Sequence, residues 1–270
     1  MDDGSGLRGR RVLAVGASAG VGRAVAETLA RGGATVAFAA RRLGKVEALA
    51  KAVGNGAVGL ECDVRDERSC GDVVDRAAET LGGLDAVLYA PAVIAMSTLM
   101  DADGAYWDDV LRTNVTGAAL VTRAAIAHLS ATRGRMVYFS SVSSSGPIWP
   151  GIGVYITSKA ALERMIEAWR AEHPDVLFTC LSIGPIASDR DEDDLAAMVL
   201  TEQATKVITT IMPTWDDRRL ARPPLPDSQI ARQVAAILQS DADIEHVVIQ
   251  APWWSATAPA GSTPRTGRRR

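Results

Sequence analysis

Cysteine and histidine are scarce in this chain, and neither is spaced like a metal site. Among 270 residues there are three of each. Cys62, Cys70 and Cys180 form no CxxC or Cys/His ligand pattern. An odd number of cysteines in a chain of this length argues against a disulfide framework. We therefore expect buried free thiols in a reducing cytosol and no bound metal.

A membrane span and a secretion signal are also missing. No apolar run reaches the roughly 18 residues that a spanning helix needs, and the start, Met1 to Gly4, is acidic where a secretory signal would be basic. The formal net charge of −3 gives no reason to expect nucleic acid as a partner. These absences predict a cytoplasmic protein that binds neither a membrane nor nucleic acid.

What the chain does contain is a series of short apolar runs that alternate with amphipathic stretches. The runs lack polar alternation, as strands buried on both faces should. The predicted strands are 12–15, 35–39, 58–62, 86–89, 134–139, 176–182 and 247–250. The predicted helices are 22–31, 43–53, 67–81, 107–130, 155–172, 195–211 and 227–239. This order predicts an α/β fold: a single Rossmann-type, doubly wound domain with a seven-stranded parallel sheet flanked by helices.

Three stretches interrupt this alternation. Residues 189–194 are an acidic run, and residues 213–226 are too rich in proline to form a helix. Residues 256–270 are rich in proline, glycine, serine and threonine and end in three arginines. We expect the folded domain to span 1–255 and residues 256–270 to be a disordered basic tail.

A glycine-rich turn follows the first predicted strand and opens the first predicted helix. Its sequence is Gly16-Ala-Ser18-Ala-Gly20-Val21-Gly22. Glycines there permit a tight turn and a close approach of the backbone to a pyrophosphate, which the free N–H groups of the helix N-terminus can bind. An ordinary glycine-rich turn is the alternative. The place of the turn between strand and helix favours a dinucleotide site formed by Gly16, Ser18, Gly20, Val21 and Gly22.

The end of the second predicted strand bears on the choice of cofactor. A protein that binds NAD usually carries an acidic residue here to hold the ribose hydroxyls. This chain has Ala40-Arg41-Arg42 instead, and Arg41 offers a cation for a 2′-phosphate. Two exposed arginines that begin a helix are the alternative. We expect Arg41 to bind the cofactor, NADP(H) to be preferred, and NAD(H) to be the second choice.

Tyr155 and Lys159 are four residues apart, which puts both side chains on one face if Tyr155 opens a helix. A fixed positive charge near a phenol lowers the pKa of the phenol. A tyrosine of that kind can exchange a proton with a substrate oxygen near neutral pH. The spacing alone is common by chance, but a serine run at 140–145 precedes the pair.

The glycine turn, the serine run followed by Tyr155-x-x-x-Lys159, and the strand–helix order together resemble the short-chain dehydrogenase/reductase superfamily, over about residues 10–250. The resemblance implies that Asp63 and Val64 border the adenine. It implies that Asn114 supports a water-linked proton path to Lys159. Tyr155 would be the general acid/base, and Lys159 would bind the nicotinamide ribose and lower the pKa of Tyr155.

In this family the serine that polarises the substrate oxygen usually follows the fifth strand, which selects Ser141. Its distance from Tyr155 is one residue longer than is most common, so Ser143 is the alternative. The remaining serines of the run are expected to form the turn.

Two segments depart from the family pattern. After the fourth strand, Asn-Asn-Ala-Gly is replaced by Tyr89-Ala90-Pro91-Ala92, which leaves Ala90 to border the adenosine through its backbone. After the sixth strand the usual Pro-Gly is absent, but Gly184, Ile186 and Ser188 are placed to contact the nicotinamide carboxamide.

The resemblance implies an NADPH-dependent oxidoreductase that interconverts a ketone or aldehyde and an alcohol. Apolar residues predict a small, hydrophobic substrate. The candidates for its pocket are Ile94, Met96, Pro147, Ile148, Trp149, Val154, Met198, Ile208, Met212 and Trp215. One alternative is a catalytically silent NADPH-binding regulatory protein, which the two departures favour and the intact Asn114, Ser141, Tyr155, Lys159 set opposes. The other is an epimerase-type relative that recycles its cofactor.

The two longest predicted helices, 107–130 and 155–172, carry apolar residues on more than one face. Relatives commonly pair through the matching helices. A homodimer or homotetramer is therefore expected.

Overall fold

The computed structural model describes residues 5–94, 96–146, 148–187, 202–214 and 223–252. The acidic run 189–194, the tail 256–270 and Ser188 lie outside the described residues. In the described part, the predicted order of strands and helices is confirmed; about half of the predicted boundaries are exact, and the others differ by one to three residues. The three cysteines are buried free thiols, as expected.

Seven strands form one parallel sheet. They are β1 (Arg11–Val15), β2 (Thr35–Ala40), β3 (Val58–Glu61), β4 (Ala86–Tyr89), β5 (Arg135–Ser141), β6 (Leu177–Ile183) and β9 (His246–Ile249). Their order across the sheet is β3-β2-β1-β4-β5-β6-β9. Two further short strands, β7 (Ile186–Ala187) and β8 (Leu225–Pro226), pair with each other and were not predicted.

The helices of the described residues alternate with these strands. They are α1 (Gly20–Arg31), α2 (Leu43–Val53), α3 (Glu67–Leu81), α4 (Gly104–Leu111), α5 (Gly117–Thr132), α6 (Gly153–Glu172), α7 (Glu202–Lys206) and α8 (Asp227–Gln239). The predicted helix 107–130 begins earlier and is divided by a π-helical segment, Arg112–Thr116. The predicted helix 195–211 is described only from Glu202, and its last part, Val207–Ile211, is π-helical. No helix in the described residues is long and apolar enough to cross a bilayer.

The helices cover both faces of the sheet, so each central strand buries both of its faces. On β1, Leu13 and Val15 pack with residues of α3, α5 and α6, whereas Val12 and Ala14 pack with residues of α1, α2 and α8. This two-sided burial explains why the apolar runs show no polar alternation. It also confirms the predicted doubly wound architecture.

Charged side chains link neighbouring segments at the amino ends of the strands. Arg11 donates to both carboxylate oxygens of Asp85, at 2.9 and 2.7 Å. Arg135 is buried, and its guanidinium donates to Thr179 Oγ1 at 2.8 Å and to the Ala242 carbonyl at 2.6 Å. Burial lowers the pKa of Arg135. These contacts join β5 to β6 and to the loop before β9.

The strand order reverses between β1 and β4, because the chain builds the sheet outward from β1 in one direction and from β4 in the other. Doubly wound sheets bind their ligands at the carboxyl ends of the strands beside such a point. The glycine turn follows β1 and the serine run follows β5. Both motifs therefore lie at the edge of the sheet where a ligand is expected.

Candidate active site

A cleft of about 1120 Å³ opens at the carboxyl ends of the strands. Its wall combines the glycine turn, the residues that follow β2, β3 and β4, the serine run and the first turns of α6. The predicted site residues that line it are Gly16, Ser18, Gly20, Val21, Gly22, Arg41, Asp63, Val64, Ala90, Ser141, Tyr155, Lys159, Gly184 and Ile186. The fold thus brings distant parts of the sequence together in one cleft.

The glycine turn is packed too tightly to accept side chains. Gly16 has a φ of +83°, in the left-handed region that favours glycine. A Cβ at Gly16 would lie 2.7 Å from the nitrogen of Pro91, and a Cβ at Gly22 would collide with the carbonyl oxygen of Gly16. Ala19, at the N-cap of α1, has no side-chain acceptor. The first N–H groups of this helix can therefore bind a phosphate.

Two arginines border the same part of the cleft. Arg42 donates from Nη2 to Ser18 Oγ at 3.0 Å, which links the end of β2 to the glycine turn. Arg41 is exposed and lines the cleft beside it. Sequence reasoning selected Arg41 alone, because the direction of two adjacent side chains cannot be read from their order. Both cations can reach a phosphate at this end.

Asp63, after β3, forms an ion pair at the same end of the cleft. Its carboxylate accepts from Arg65 Nε at 3.1 Å and from Arg65 Nη2 at 2.9 Å. This hydrogen bonding lowers the pKa of Asp63. Arg65 also lines the cleft and was not predicted. Val64 is buried next to the pair.

The first turns of α6 place Tyr155 and Lys159 on one wall. The Lys159 ammonium lies 5.8 Å from the centroid of the Tyr155 ring. Its Nζ donates to the Phe139 carbonyl of β5 at 2.6 Å. Burial lowers the pKa of Lys159 to about 8. The lysine can therefore gain or lose a proton close to neutral pH.

Asn114 lies in the π-helical segment and is not among the described residues that line the cleft. It is fully buried. Its Oδ1 accepts from the Val93 amide at 2.8 Å, and its Nδ2 donates to the Val93 carbonyl at 3.1 Å and to Ser158 Oγ at 2.9 Å. Asn114 thus connects the loop after β4 to α6 one residue before Lys159. Single π-helical turns of this kind often occur at functional sites.

The serine run divides into two groups. Ser141 and Ser143 line the cleft, and their Oγ atoms are 2.8 Å apart. Ser140, predicted for the turn, lies in β5; it also lines the cleft, and its Oγ donates to Oε1 of Glu163 at 2.7 Å. Ser144 Oγ lies 2.7 Å from the same oxygen. The two candidates that the sequence left open are therefore one hydrogen-bonded pair, in which Ser141 is the half-buried member and Ser143 the buried one.

The segment after β6 closes another side of the cleft. Gly184 donates its amide hydrogen to the Ile249 carbonyl at 2.9 Å, which aligns it with β9. Ile186 lies in β7 and pairs with Leu225 of β8. Gly184 and Ile186 line the cleft, and Ser188 lies outside the described residues.

The end of the cleft beyond Tyr155 is mainly apolar. Ile94, Trp149 and Ile152 line it. The Ser97 amide donates to the Gly151 carbonyl at 2.9 Å, which fixes the loop between Trp149 and Ile152.

Some of the residues predicted for this pocket lie elsewhere. Val154 is buried against Val110 in a small cluster of its own. Ile148 is 72% exposed. Met96 and Met212 pack around Ile152 and Ile156. Pro147, Met198 and Trp215 lie outside the described residues.

Comparison with known proteins bears on what this arrangement does. A family model described as short chain dehydrogenase matches residues 10–198. This chain belongs to the short-chain dehydrogenase/reductase family. The matched residues include the glycine turn, the serine run, Tyr155 and Lys159.

Curated relatives in this family are named dehydrogenases and reductases. "11-beta-hydroxysteroid dehydrogenase A" of Sesamum indicum is 33% identical over 189 residues, 68% of this chain and 54% of that protein. "Dehydrogenase/reductase SDR family member 2, mitochondrial" of Homo sapiens is 31% identical over 195 residues, 69% of each. "Versicolorin reductase 1" of Dothistroma septosporum is 30% identical over 189 residues, 68% of this chain and 72% of that protein. The matched part of the chain spans about half the length of the Sesamum protein.

Solved structures show the same fold. An alcohol dehydrogenase from Thermococcus sibiricus, complexed with 5-hydroxy-NADP, aligns with a TM-score of 0.74 at 22% identity and covers 90% of this chain and 97% of its own. A putative short-chain alcohol dehydrogenase from Sinorhizobium meliloti aligns with a TM-score of 0.74 at 27% identity, over 92% of this chain and 97% of its own. The described fold is therefore that of the family.

Proposed function

We propose that this chain is an NADPH-dependent oxidoreductase that interconverts a ketone or aldehyde and the corresponding alcohol on a small hydrophobic substrate. The observation that carries the proposal is the joint presence of Tyr155, Lys159 and Ser141 on one cleft, with the lysine buried beside the phenol ring. A phenol, an ammonium and a hydroxyl are the groups that a proton transfer to a carbonyl oxygen requires.

The residues of the other half of the cleft fit the cofactor. Side chains are excluded at Gly16 and Gly22, so a pyrophosphate can approach the backbone and the start of α1. Arg41 and Arg42 supply cations for a 2′-phosphate, which supports NADPH over NADH. Asp63 and Val64 would border the adenine of a bound cofactor, Ala90 would border the adenosine, and Gly184 and Ile186 would lie beside the carboxamide. Ser188, predicted with them, lies outside the described residues. When bound, the nicotinamide supplies or accepts the hydride.

Each polar residue then has one task in the reduction. Ser141 donates a hydrogen bond to the carbonyl oxygen, and Tyr155 gives that oxygen a proton. Lys159 keeps the phenol acidic and returns a proton to it, and Asn114 supports the resupply through water. Acid/base assistance of this kind contributes about 10²–10⁴-fold. The rest of the acceleration comes from fixing the reactants in contact.

The substrate end of the cleft supports an uncharged, apolar substrate. Ile94, Trp149 and Ile152 offer carbon surface there. Ser141 and Tyr155, which line the same cleft, are assigned to the reacting oxygen. Among the described residues, the three apolar side chains offer no charge to pair with a substrate carboxylate or phosphate, so burying such a group against them would be costly.

The test is the consumption of NADPH by the purified protein with a panel of ketones and aldehydes of increasing apolar size. We expect turnover with apolar members, and we expect Tyr155→Phe to lower kcat about 10²–10⁴-fold while NADPH binding stays the same. Tyr106→Phe is the matched control, because the Tyr106 hydroxyl is buried in a separate cluster and makes no hydrogen bond within the described residues. It should change kcat less than about twofold.

Other outcomes of this assay would support the alternatives. NADPH binding without turnover, unchanged by Tyr155→Phe, would indicate the silent regulatory protein. Inversion of a stereocentre with no net consumption of cofactor would indicate the epimerase-type reaction. The same assay with NADH tests the cofactor preference, which Arg41→Ala should weaken.

We also propose a cytoplasmic homodimer or homotetramer that needs neither a membrane nor nucleic acid. Support comes from Leu120 and Ile126 of α5 and from Trp169 of α6, which remain only partly buried in one chain. Light scattering on the purified protein measures the assembly. A monomer at micromolar concentration would refute this part alone.

A further inference from the structure

The carboxylate of Glu163 lies outside the cleft, yet it is surrounded by the elements that build the cleft. Its Oε1 is 2.7 Å from Ser140 Oγ, 2.7 Å from Ser144 Oγ and 2.9 Å from Ser182 Oγ. Register explains the arrangement, since Ser140 and Ser182 are partners across β5 and β6. Helix α6 lies over this part of the sheet, so Glu163 faces both strands at once.

The hydrogen bonds have a consistent direction. Each serine hydroxyl has one hydrogen, and a carboxylate only accepts. If Ser182 donates to Glu163, its oxygen must accept from His246, whose Nε2 lies 2.7 Å away. His246 is exposed, so this chain of hydrogen bonds runs from the surface to the half-buried carboxylate. Ser144 Oγ lies 2.7 Å from both Glu163 Oε1 and the Ser141 carbonyl, so these two acceptors share its single hydrogen. The hydroxyls of Ser140 and Ser182, with that of Ser144 in part, compensate the cost of taking the charge out of water.

A metal ion is a weaker account of this cluster. Glu163, Cys180 and His246 each offer one donor atom within 4.8 Å of the others. However, the Ser182 hydroxyl already lies within hydrogen-bond distance of both Glu163 and His246. Burial raises the pKa of the Cys180 thiol to about 12, which disfavours the thiolate that a metal requires. Hydrogen bonding therefore explains the cluster.

Two contacts of Glu163 enclose the predicted polarising serine. Ser140 precedes Ser141 directly. Ser144 Oγ lies 2.7 Å from Glu163 Oε1 and also 2.7 Å from the Ser141 carbonyl, and the Ser144 amide donates to that carbonyl at 3.0 Å. Because Glu163 contacts the hydroxyls of both Ser140 and Ser144, it restricts the orientation of the Ser141 side chain.

The same carboxylate acts on Lys159. Glu163 follows Lys159 by four residues, which puts both on one side of α6. Burial favours the neutral amine, and the negative charge of Glu163 opposes it by favouring the ammonium. The other groups that face this ammonium are the Tyr155 ring, the Phe139 carbonyl and the Cys180 thiol. Of these, the thiol is neutral at pH 8.

We propose that Glu163 is a positioning residue for the reaction: it fixes the turn that carries Ser141 and keeps Lys159 protonated. The inference rests on the proposed function, because it assigns Glu163 to the residues of that reaction. It adds a residue that touches neither substrate nor cofactor.

The decisive experiment is a pH titration of the lysine side chains by NMR, which needs no turnover. The chain has four lysines, Lys45, Lys51, Lys159 and Lys206, so ¹³C-labelled lysine gives a simple spectrum. Lys159→Arg identifies the Lys159 signal. We expect that signal to titrate near pH 8 in the wild type, and about one pH unit lower in Glu163→Gln, because the opposing negative charge is gone.

Glu167→Gln is the matched control. Glu167 is one turn further along α6, its side chain is 54% exposed, and it pairs with Arg164 on the outer surface. Its removal deletes the same charge from the same helix without touching the serines. We expect the Lys159 titration and kcat to stay at wild-type values. If Glu163→Gln leaves Lys159 at the wild-type pKa, the proposal is wrong.

Kinetics separate the two parts of the proposal. With a substrate from the carbonyl panel, Glu163→Gln should lower kcat on the order of tenfold with little change in the KM for NADPH. Ser144→Ala retains the charge and removes one contact to the turn. It should lower kcat about threefold and leave the Lys159 titration unmoved.

If Glu163→Gln does not fold, Ser144→Ala still tests the proposal. An unchanged kcat in Ser144→Ala would show that the contact between Ser144 and Glu163 does not position the turn. A wild type without turnover would refute the proposed function only. The lysine titration would still decide whether Glu163 controls Lys159.

Discussion

Two buried cations, Arg135 and Lys159, stand at opposite ends of β5, and the fold uses them differently. Arg135 begins the strand and donates to the Thr179 hydroxyl and the Ala242 carbonyl. Lys159 donates to Phe139 near the other end of the strand and also borders the cleft. Burial lowers the pKa of both. The buried charge at the amino end of this strand joins elements of the fold, whereas the buried charge at the carboxyl end also lines the cleft.

The largest expected effect is that of Lys159→Met on activity. We expect kcat to fall on the order of 10³-fold, since the proton relay and the charge beside Tyr155 are both lost. The free energy of unfolding should change by less than about 1 kcal/mol, because the lost hydrogen bond to Phe139 and the relief of a buried charge oppose each other. Steady-state kinetics and urea unfolding measure the two. A large loss of stability would make Lys159 a structural cation like Arg135.

For Arg135→Met we expect the opposite: a loss of stability with little change in activity. The substitution leaves the Thr179 hydroxyl and the Ala242 carbonyl without their donor, which should lower the free energy of unfolding by about 2–3 kcal/mol. The folded fraction should keep kcat within about twofold. Arg123→Met is the control, since Arg123 and its partner Glu67 are both exposed, and it should change stability by no more than about 0.5 kcal/mol. If Arg135→Met loses activity but keeps its free energy of unfolding, the distinction between the two cations is wrong.

A third prediction concerns Ser141 and Ser143 at the carboxyl end of β5. We expect Ser141→Ala to lower kcat about 30–100-fold, because it removes the hydrogen bond to the reacting oxygen. Ser143→Ala should cost only about threefold, through the orientation of Ser141. Measurement of kcat for both variants assigns the polarising hydroxyl. The reverse ranking would give that role to Ser143.

The last expected effect needs no substitution: it is a pH dependence that only one of the two cations should show. Below about pH 8 Lys159 is protonated, and above that value it loses the proton that the reduction consumes. The rate of carbonyl reduction should therefore fall about tenfold per pH unit above this pKa, and alcohol oxidation should rise through it before it levels off. Arg135 stays charged throughout this range. Rates in both directions, measured against pH, test the sign. A reduction rate that rises through pH 8 would contradict it.

The fold could be predicted because its strands appear in the sequence as unbroken apolar runs. Both faces of the sheet are covered at Val12 to Val15 and at Ala86 to Tyr89. Strands that are buried in this way are typically apolar along their whole length. The π-helical segment Arg112–Thr116 was not predictable, since one extra residue per turn leaves the apolar periodicity of a long helix almost unchanged. The β7–β8 pair is too short to give a pattern at all.

The candidate site was predictable where a motif carries its own spacing, as at Gly16 to Gly22 and at Tyr155 and Lys159. It was not predictable where partners come from separate elements. Arg42 depends on the position of Ser18 across the turn. Glu163 depends on three serines from two strands and a turn. Such contacts exist only once the chain has folded.

The small β7–β8 pair has a consequence for the stretch of chain between its strands. Ile186 and Leu225 are register partners, so the 38 residues that separate them leave and return at adjacent points beside the cleft. The described part of this stretch, residues 202–214, packs on the domain: Ala204 and Val207 are buried, and Lys206 Nζ donates to Asp101 at 2.8 Å. Exchanging the stretch for that of a relative between the same two anchors would therefore replace these contacts as well as the length of the connection, whereas all seven strands of the large sheet lie outside the exchanged residues.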